Sequence, residues 1–575
     1  MSYDKRPSVK FDSGEKPVVR GWPSIMDEIL SATSDVAICL ETYPGVDLAE
    51  IEEQFVTAMD NVLVIRAAEL MLPETKLSTM LDRFLTDDRV FGYMAPFQMS
   101  EFFDPEKILK AKAKAVEAQG SGRRVLIIGC GAGLVLESAL LVYADMPRWE
   151  IQKRMRAGQR NLTIDNPRED ILVKYKRGYF IEWRAADRWK MSLFDRVHTF
   201  LDTTIPDDPR SIDGETMRAA LQHTVTRPFR VVPYFDPGVW GGNWMKDKFE
   251  LPDGPANYAW GFDCVPEENS LVLDFDGMEF EIPSINLVLR QPEQLLGARV
   301  YSRFGPEFPI RFDFLDTIGG GNLSLQVHPL AGYARDQFGI SYTQDESYYI
   351  LEARPDACVY LGMKDGVRAD DFFSELTAAQ SGGLPLDVEK FVNKWPAAKH
   401  DHFSIPAGTI HCSGSGSVVL EISATPYIFT FKLWDWGRLG LDGLPRPVHI
   451  DHGKAVLRED RDTTWAEREV IDHIEVLSDK DGVREERTGL HPLEFIETRR
   501  HWFTERVEHF TEGSVHVLNL VEGDGIIVES PAGTFKPFRA GYAETFIVPA
   551  GVEAYTIRPV DPTRPHATIR ASVRS

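Results

Sequence analysis

The first 225 residues alternate between short apolar blocks and longer amphipathic stretches. Residues 104–119 and 149–161 place apolar side chains at helical spacing. Strands that alternate with helices favour a parallel sheet covered by helical layers, so this pattern predicts an α/β N-terminal module over 1–225. The apolar blocks that have the length of buried strands lie at 36–43, 61–67, 124–130 and 195–202.

After residue 225 the pattern changes to short strands separated by glycine and proline turns. Residues 226–450 are β-rich throughout, except that 370–380 has the pattern of an inserted helix. Residues 451–575 hold a second set of strands, at 514–530 and 544–557. The pattern therefore predicts a mainly-β region that makes up the larger part of the chain.

A weak internal repeat links the two β-rich stretches. The letters IPAG at 405–408 return as VPAG at 548–551, as two related barrels would leave them. In the second copy Val552 and Glu553 follow the glycine, whereas a histidine follows the first. We predict three domains, namely 1–225, 226–450 and 451–575, of which the last is a barrel without metal.

Composition limits the classes of function. The chain has 575 residues, 43% of them hydrophobic and 26% charged, which is typical of a globular protein of about three or four domains. A net charge of −24 disfavours a nucleic-acid partner. No apolar run reaches the ~18 residues of a membrane span, and the N-terminus lacks a secretory signal. Five isolated cysteines favour a reducing, cytoplasmic location.

The strongest chemical signal lies between residues 321 and 415. Gln326 and His328 alternate across Val327, so on a strand both side chains point to one face. Glu346 follows in TQDESYYIL and His411 in IPAGTIHCSGSG. Two imidazoles, a carboxylate and an amide oxygen form a suitable ligand set for Zn²⁺. Taken singly, each of these residues also fits an ordinary packing or hydrogen-bonding role.

Five segments resemble, in order, the type I mannose-6-phosphate isomerases, which are zinc enzymes of the cupin superfamily. The resemblance spans about 227–560 and implies tandem cupin (jelly-roll) barrels after the α/β module. It also implies that Gln326, His328, Glu346 and His411 hold Zn²⁺. The segments that carry it are 227–242, 323–329, 345–362, 402–423 and 431–450.

The same resemblance implies an aldose–ketose isomerase that converts mannose 6-phosphate, or a related sugar phosphate, to its ketose. The cationic positions depart from the family: Asp313 and Gln344 stand where relatives carry lysine, and Lys432 stands where they carry arginine. Lys432, Glu421 and Arg311 are the candidate catalytic residues. If Lys432 lies on the outer face of its strand, Phe431 or Leu433 points inward instead.

Two other functions stay open at this stage. A carbohydrate-sensing cupin protein would keep the metal and lose turnover. A redox cupin would favour iron, although the amide ligand Gln326 argues for zinc. The oligomeric state is not predicted.

The N-terminal module carries a glycine-rich turn after an apolar strand. Gly129, Gly131 and Gly133 could let phosphate approach backbone N–H groups, but the P-loop lysine is missing. The alternatives are a tight strand-to-helix turn and a degenerate kinase-like nucleotide fold. The basic, aromatic run 175–190 could bind phosphate or a partner, or form a solvated amphipathic helix.

Several further residues have both a functional and a structural interpretation. Trp240 walls a pocket or fills the core, and Cys412 packs away from the site beside His411. His449 and His452 form a metal pair or are solvent-exposed. Arg438 and Arg446 bind anions or pair with carboxylates such as Asp435.

Overall fold

The computed structural model describes residues 2–12, 14, 18–32, 37–424, 429–441, 443, 446–489, 491–492 and 494–574. Val36, the first residue of the predicted strand 36–43, lies outside these residues, as do 442 and 444–445 of the segment 431–450. The chain forms two compact units. The barrel unit comprises Met1–Pro7, Thr224–Glu267 and Gln291–Ser575, and the N-terminal unit comprises Ser8–His223 and Glu268–Arg290.

The elements are numbered in chain order. The strands up to residue 213 are β1 (Ser8–Phe11), β2 (Val19–Arg20), β3 (Ile38–Thr42), β4 (Val62–Arg66), β5 (Arg124–Gly129), β6 (Leu140–Asp145), β7 (Thr199–Asp202) and β8 (Arg210–Asp213). The next are β9 (Tyr234–Asp236), β10 (Trp260–Cys264), β11 (Ser270–Phe275), β12 (Met278–Pro283), β13 (Arg311–Asp316), β14 (Leu325–Val327), β15 (Glu346–Ala353), β16 (Cys358–Met363), β17 (Val392–Pro396), β18 (His402–Ile405), β19 (His411–Ser413), β20 (Ser417–Ser423) and β21 (Phe431–Trp434). The last are β22 (Glu475–Lys480), β23 (Val483–Thr488), β24 (Ile496–Phe503), β25 (Val507–Phe510), β26 (His516–Glu522), β27 (Gly525–Glu529), β28 (Phe538–Gly541), β29 (Thr545–Val548), β30 (Ala554–Pro559) and β31 (His566–Val573).

The helices follow the same order. They are α1 (Trp22–Ser31), α2 (Leu48–Ala58), α3 (Glu74–Leu85), α4 (Pro105–Gly120), α5 (Arg148–Arg156), α6 (Ile171–Arg177), α7 (Trp183–Leu193), α8 (Gly214–Thr224), α9 (Trp244–Lys248), α10 (Ile285–Arg290), α11 (Pro292–Leu296), α12 (Ala298–Phe304), α13 (Ala331–Phe338), α14 (Ala369–Gln380), α15 (Val388–Phe391), α16 (Ile450–Val456) and α17 (Thr463–Glu469). The inserted helix predicted at 370–380 is confirmed as α14.

The N-terminal unit is built on a seven-stranded sheet of order β2-β8-β7-β6-β3-β5-β4. The pairings of β3 with β5 and β6, of β4 with β5 and of β6 with β7 are parallel. Strand β3 is buried along its whole length, as an apolar strand with neighbours on both faces should be. The four predicted strands correspond to β3, β4, β5 and β7, whereas β2, β6 and β8 of this sheet were missed.

A hairpin from the middle of the chain joins the N-terminal unit. Strands β11 and β12 pair antiparallel, and β11 also pairs in parallel with β1. Residues Glu268–Arg290 therefore cluster with Ser8–His223, although the sequence places them between two strands of the first barrel.

The first barrel consists of two sheets, β18-β15-β20-β13-β10-β9 and β17-β16-β19-β14-β21. The second barrel consists of β22-β23-β24-β31-β26-β29 and β25-β30-β27-β28. Leu518 and Phe546 of its larger sheet meet Ile526 and Tyr555 of its smaller sheet in one hydrophobic core. Each pair of sheets thus encloses an interior, which is the arrangement of double-sheet barrels.

All five cysteines are buried and carry free thiols. Among the helices that the structure describes, none is long and apolar enough to cross a membrane.

Candidate metal centre

Three sequence-predicted ligands meet inside the first barrel. His328 follows β14, Glu346 opens β15 and His411 opens β19, and all three are buried. Their ligand atoms all lie within 4.8 Å of one another. His411 Nε2 is 2.7 Å from Glu346 Oε1, and His328 Nε2 is 3.1 Å from the same oxygen.

A glycine turn sets the position of His411. Gly408 has φ of +91°, and a β-carbon there would lie 2.8 Å from Arg458 Cγ. The Gly408 amide donates to the His328 carbonyl oxygen at 3.0 Å, which ties the His411 turn to the His328 strand end. Only glycine adopts this backbone conformation without strain, so the PAG letters before His411 have a local reason.

Backbone contacts fix the tautomer of both imidazoles. His328 Nδ1 lies 2.8 Å from the Phe429 carbonyl oxygen, and His411 Nδ1 lies 2.8 Å from the Thr409 carbonyl oxygen. Because each Nδ1–H donates to a carbonyl, each ring in its neutral form turns an unprotonated Nε2 toward Glu346. Histidine ligands of metals are commonly oriented in this way, by a hydrogen bond from the other ring nitrogen to a backbone carbonyl.

The converging atoms are all electron-pair donors. His328 Nε2 and Glu346 Oε1 are buried and have no hydrogen-bond partner in the described part of the chain. Burial acts to raise the pKa of Glu346, but His328 and His411 lower it well below its ordinary value, so this side chain is a carboxylate. Two imidazole nitrogens and a carboxylate oxygen that converge in this way fit a divalent cation.

Gln326 flanks this cluster. It pairs across strands with His411 on one side and Lys432 on the other. Its amide nitrogen, Nε2, lies 3.2 Å from His411 Nε2. The amide oxygen would replace the nitrogen at this point if the side-chain amide turned over by 180°, which Gln326 needs in order to act as a ligand.

Lys432 shares the face of Gln326. Directly opposed residues in an antiparallel pair project to the same side, so the Gln326–Lys432 pairing directs Lys432 to the interior. Phe431 stacks on His452 on the other side, and Leu433 lies against Gly453 of α16. The register therefore favours the prediction that Lys432, and not Phe431 or Leu433, faces the site.

The opposite wall of the barrel is acidic. Asp313 pairs with Glu421 across strands, and Arg311 pairs with Ser423, which itself pairs with Glu346. Arg311 Nη2 is 3.8 Å from Asp313 Oδ1. Burial raises the pKa of Asp313 to about 6, although Arg311 opposes the shift. Burial also raises the pKa of Glu421 well above its ordinary value, and the negative charges of Asp313 and Glu346 add to this shift.

Gln344 holds the Glu346 carboxylate in place. Its Nε2 donates to Glu346 Oε2 at 3.0 Å, and its Oε1 accepts from the Phe429 amide at 2.7 Å. A lysine at this position would lack the acceptor for Phe429. The exchange of the family lysine for glutamine therefore fits the local hydrogen bonding.

The remaining candidates of the first barrel take structural roles. Trp240 is buried and meets Trp260 edge to face, and Cys412 is buried beside His411. Arg438 and Arg446 both pair with Asp435, at 2.6 and 3.0 Å.

The expected exposure of His449 and His452 is wrong. His449 is buried, while His452 stacks on Phe431 and contacts the Tyr333 hydroxyl at 2.7 Å. Their connection folds into α16, whose first turn packs on β21 and so removes both rings from open solvent.

In the N-terminal unit the side chain of Glu41 occupies the glycine-rich turn. The amides of Gly131 and Gly133 donate to the two carboxylate oxygens of Glu41, at 2.6 and 2.8 Å. These N–H groups are the ones that would have met a phosphate, so the tight-turn interpretation is favoured. Burial raises the pKa of Glu41 to about 7, against the amide donors that lower it.

The solvated-helix interpretation of 175–190 is wrong. The run spans α6, a π-turn over Gly178–Glu182, and α7, and most of it is buried. Lys174, which directly precedes the run in α6, shows how a buried charge is accommodated here, because its ammonium donates to the carbonyl oxygens of Met155, Gln159 and Pro167.

Sequence reasoning missed a polar cluster in the second barrel. His501, His509 and His516 are buried on β24, β25 and β26, and Arg570 is buried on β31. The sequence did contain a sign of this cluster. Each of the three histidines lies two residues from an apolar core residue of its own strand, namely Phe503, Val507 and Leu518, and alternate residues of a strand share a face.

Comparisons with known proteins cover both parts of the chain. Residues 21–226 match a domain of unknown function, DUF8485. "Probable mannose-6-phosphate isomerase GmuF" of Bacillus subtilis is 24% identical over 235 residues, 40% of this chain and 69% of GmuF. YvyI of the same organism is 23% identical over 340 residues, 58% of this chain and 96% of YvyI.

A crystal structure of the mannose 6-phosphate isomerase from Bacillus subtilis aligns with a TM-score of 0.48 and 20% identity, over 60% of this chain and 100% of that chain. The resemblance of this chain to the type I mannose-6-phosphate isomerase family, predicted from its sequence motifs, is confirmed by its relatives.

Proposed function

We propose that this protein is a zinc-dependent aldose–ketose isomerase that acts on mannose 6-phosphate or a related sugar phosphate. The observation that carries the proposal is the buried convergence of His328 Nε2, His411 Nε2 and Glu346 Oε1, in which His328 Nε2 and Glu346 Oε1 have no hydrogen-bond partner among the described residues. The name of GmuF supports the reaction class. Gln326, His328, Glu346 and His411 would hold Zn²⁺, which when bound supplies Lewis-acid stabilisation of negative charge on oxygen.

The reaction moves two protons. The proton on C2 of the aldose is transferred to C1, and the proton of the C2 hydroxyl passes to the C1 oxygen. A base and an acid with well-separated pKa values suit this exchange. Asp313, with a pKa of about 6, is ionised at neutral pH and can accept a proton, whereas Glu421 keeps its proton and can donate one.

Cations complete the proposed site. Lys432 extends from the face of Gln326, where it would stabilise charge that develops on the sugar oxygens. Arg311 beside Asp313 would hold that carboxylate in its ionised form and contact the substrate.

A second candidate function has its own observation. Asp313 and Gln344 replace the lysines of the family, and Asp313, Glu421 and Glu346 make the barrel wall acidic. An acidic wall disfavours a phosphate and suits hydroxyl groups, so a carbohydrate-sensing protein that keeps its metal is the alternative.

One assay separates the two functions. The purified protein, loaded with Zn²⁺, is given mannose 6-phosphate while fructose 6-phosphate is followed by a coupled enzyme, with unphosphorylated mannose in parallel. The isomerase predicts turnover that is lost in Glu346→Gln. Binding of either sugar without turnover would instead support the sensor.

The wider organisation is also proposed. We propose a division into 1–225, 226–450 and 451–575, with the hairpin 270–283 as an excursion from the middle part. The five free, buried cysteines support a reducing, cytoplasmic location.

A further inference from the structure

Arg570 is a buried cation in the interior of the second barrel. It pairs across strands with Leu518, a member of the barrel core, so both side chains face inward. Only 8% of its surface is exposed. Within the described chain its Nε has no hydrogen-bond partner, and no carboxylate lies within ion-pairing distance of its guanidinium.

Two other buried arginines of the barrel unit are neutralised by carboxylates, and a third, Arg461, lies 4.3 Å from the centroid of the Trp465 ring. Arg500 Nε lies 2.7 Å from Glu486 Oε2, and Arg230 Nη1 lies 2.9 Å from Glu544 Oε1. A buried charge without a partner is strongly unfavourable, so folded proteins supply one from a side chain or a ligand. Arg570 lacks the carboxylate that Arg500 and Arg230 have, and this points to a missing anion.

Three histidines surround this position. His501 lies two residues from Arg499, the cross-strand partner of Arg570, and His516 lies two residues from Leu518. Both are thus diagonal neighbours on the same face. His509 reaches in from the facing sheet, with its ring 4.7 Å from that of His501.

The rings are held in place but keep free nitrogen atoms. His509 stacks on Tyr555 with centroids 4.9 Å apart, and His516 Nδ1 lies 2.9 Å from the Tyr555 hydroxyl. His501 Nδ1 and His509 Nε2 are buried without a hydrogen-bond partner among the residues described. Burial, with a smaller effect of nearby cations, keeps the pKa of His509 and His516 well below the ordinary value, so neither ring adds a charge.

The neighbouring carboxylates are already engaged. Arg499 pairs with Glu485 at 2.7 Å and also with Glu497. Glu485 additionally faces His501 Nε2 at 3.5 Å. The charge of Arg570 is then the one in this cluster that lacks a counterion in the structure as described.

We propose that the second barrel binds a small oxyanion, a carboxylate or a phosphate group, on the guanidinium of Arg570, with His501 and His509 as further polar contacts. The planar guanidinium offers parallel N–H donors that match either group. This site is independent of the metal centre and of the proposed isomerase activity.

The test uses the full-length protein dialysed into chloride buffer at constant ionic strength. Inorganic phosphate and acetate are titrated separately by calorimetry and by thermal unfolding, in the wild type, Arg570→Met and Arg539→Met. Arg539 is exposed on β28 of the same barrel and provides a matched loss of charge. Binding of phosphate alone, of acetate alone or of both will identify the chemical group that the site accepts.

We expect the preferred anion to raise Tm of the wild type and of Arg539→Met by about 2 °C or more at saturation. Arg570→Met should lose one binding equivalent and, without anion, should melt at or above the wild type because an uncompensated charge has gone. His509→Phe, which keeps the stacking on Tyr555, should weaken binding about tenfold through loss of one hydrogen bond.

Three results would overturn the proposal. The first is equal stabilisation of the wild type and Arg570→Met by both anions. The second is that neither anion binds to the wild type or shifts its Tm, whatever the Tm of Arg570→Met, which would make Arg570 purely structural. The third is a second equivalent of Zn²⁺ per chain that disappears in His509→Phe, which would make the cluster a metal site.

Discussion

Replacement of Lys432 by methionine removes one charge from the proposed site and keeps the length of the side chain. Lys432 is half-buried and stands directly across from Gln326, which is itself opposite His411. Directly opposed β-carbons lie about 5 Å apart, so the ammonium can reach a sugar oxygen beside the metal ligands. The ligands themselves are untouched, and Zn²⁺ should stay bound.

The expected loss follows from the charge and its surroundings. A unit charge about 5 Å from a developing negative charge, at an effective dielectric constant of about 20, contributes about 3 kcal/mol. That corresponds to a loss of about 10²-fold in kcat, which matches the usual cost of removing one preorganised contact. Lys432→Arg keeps the charge and should retain turnover.

The assay is kcat for conversion of mannose 6-phosphate, with zinc content measured on the same samples. Lys454→Met is the control, because Lys454 is an exposed lysine on α16. Full turnover in Lys432→Met with zinc retained would refute the role of Lys432, and Arg311 would be the next cation to test. Loss of zinc together with turnover would show that Lys432 acts on the ligands instead.

Three further predictions concern the metal and the stability of the first barrel. His328→Ala and His411→Ala should each lower zinc from about one ion per chain to near zero by atomic absorption, because loss of one imidazole leaves an incomplete ligand set; full zinc occupancy in both would contradict the assignment. The folded-state pKa of Asp313 lies above its unfolded value, so its contribution to stability is full below about pH 4 and is lost as pH rises through about 6. Asp313→Asn should therefore raise the free energy of unfolding at pH 7 by about 2–3 kcal/mol, with no gain at pH 4, in urea titrations; an equal effect at both pH values would contradict this origin. Gly408→Ala should lower the free energy of unfolding by about 1–3 kcal/mol, because the positive φ and the contact with Arg458 both disfavour a β-carbon there. Gly366→Ala is the control, because Gly366 is exposed and also has a positive φ, but a β-carbon there would meet no other atom. This control should lose only the part of the free energy that comes from the backbone conformation.

The grouping of the candidate metal ligands could be predicted because its signal is local. Two-residue alternation brings Gln326 and His328 to one face, and the PAG turn places His411 without any knowledge of distant strands. The side of Lys432 could not be predicted, because it depends on the register of β21 against β14. That register shifts between Leu325 and Gln326, and such an irregularity leaves no mark in the strand's own sequence.

The other features could not be predicted because they depend on contacts between residues that are far apart in the sequence. The hairpin of β11 and β12 joins a sheet with β1, whose residues lie more than two hundred positions earlier in the chain. Lys174 and its neighbours have the charge of a surface helix, and burial depends on carbonyl groups that only the tertiary fold supplies. The sequence also did not indicate that Arg570 is buried without a counterion among the described residues, because this depends on which residues surround it in the fold.

The proposed activity requires that the C2 proton of the substrate be removed and a proton be returned to C1. Zinc-loaded protein incubated with mannose 6-phosphate in D₂O, followed by proton NMR, tests this step directly. We predict that the wild type will give fructose 6-phosphate, or recovered mannose 6-phosphate, that carries solvent deuterium at C1 or C2. Glu346→Gln should give neither labelled product. Absence of deuterium and of ketose with fully zinc-loaded wild-type protein would contradict the isomerase and leave the sensor as the function of this site.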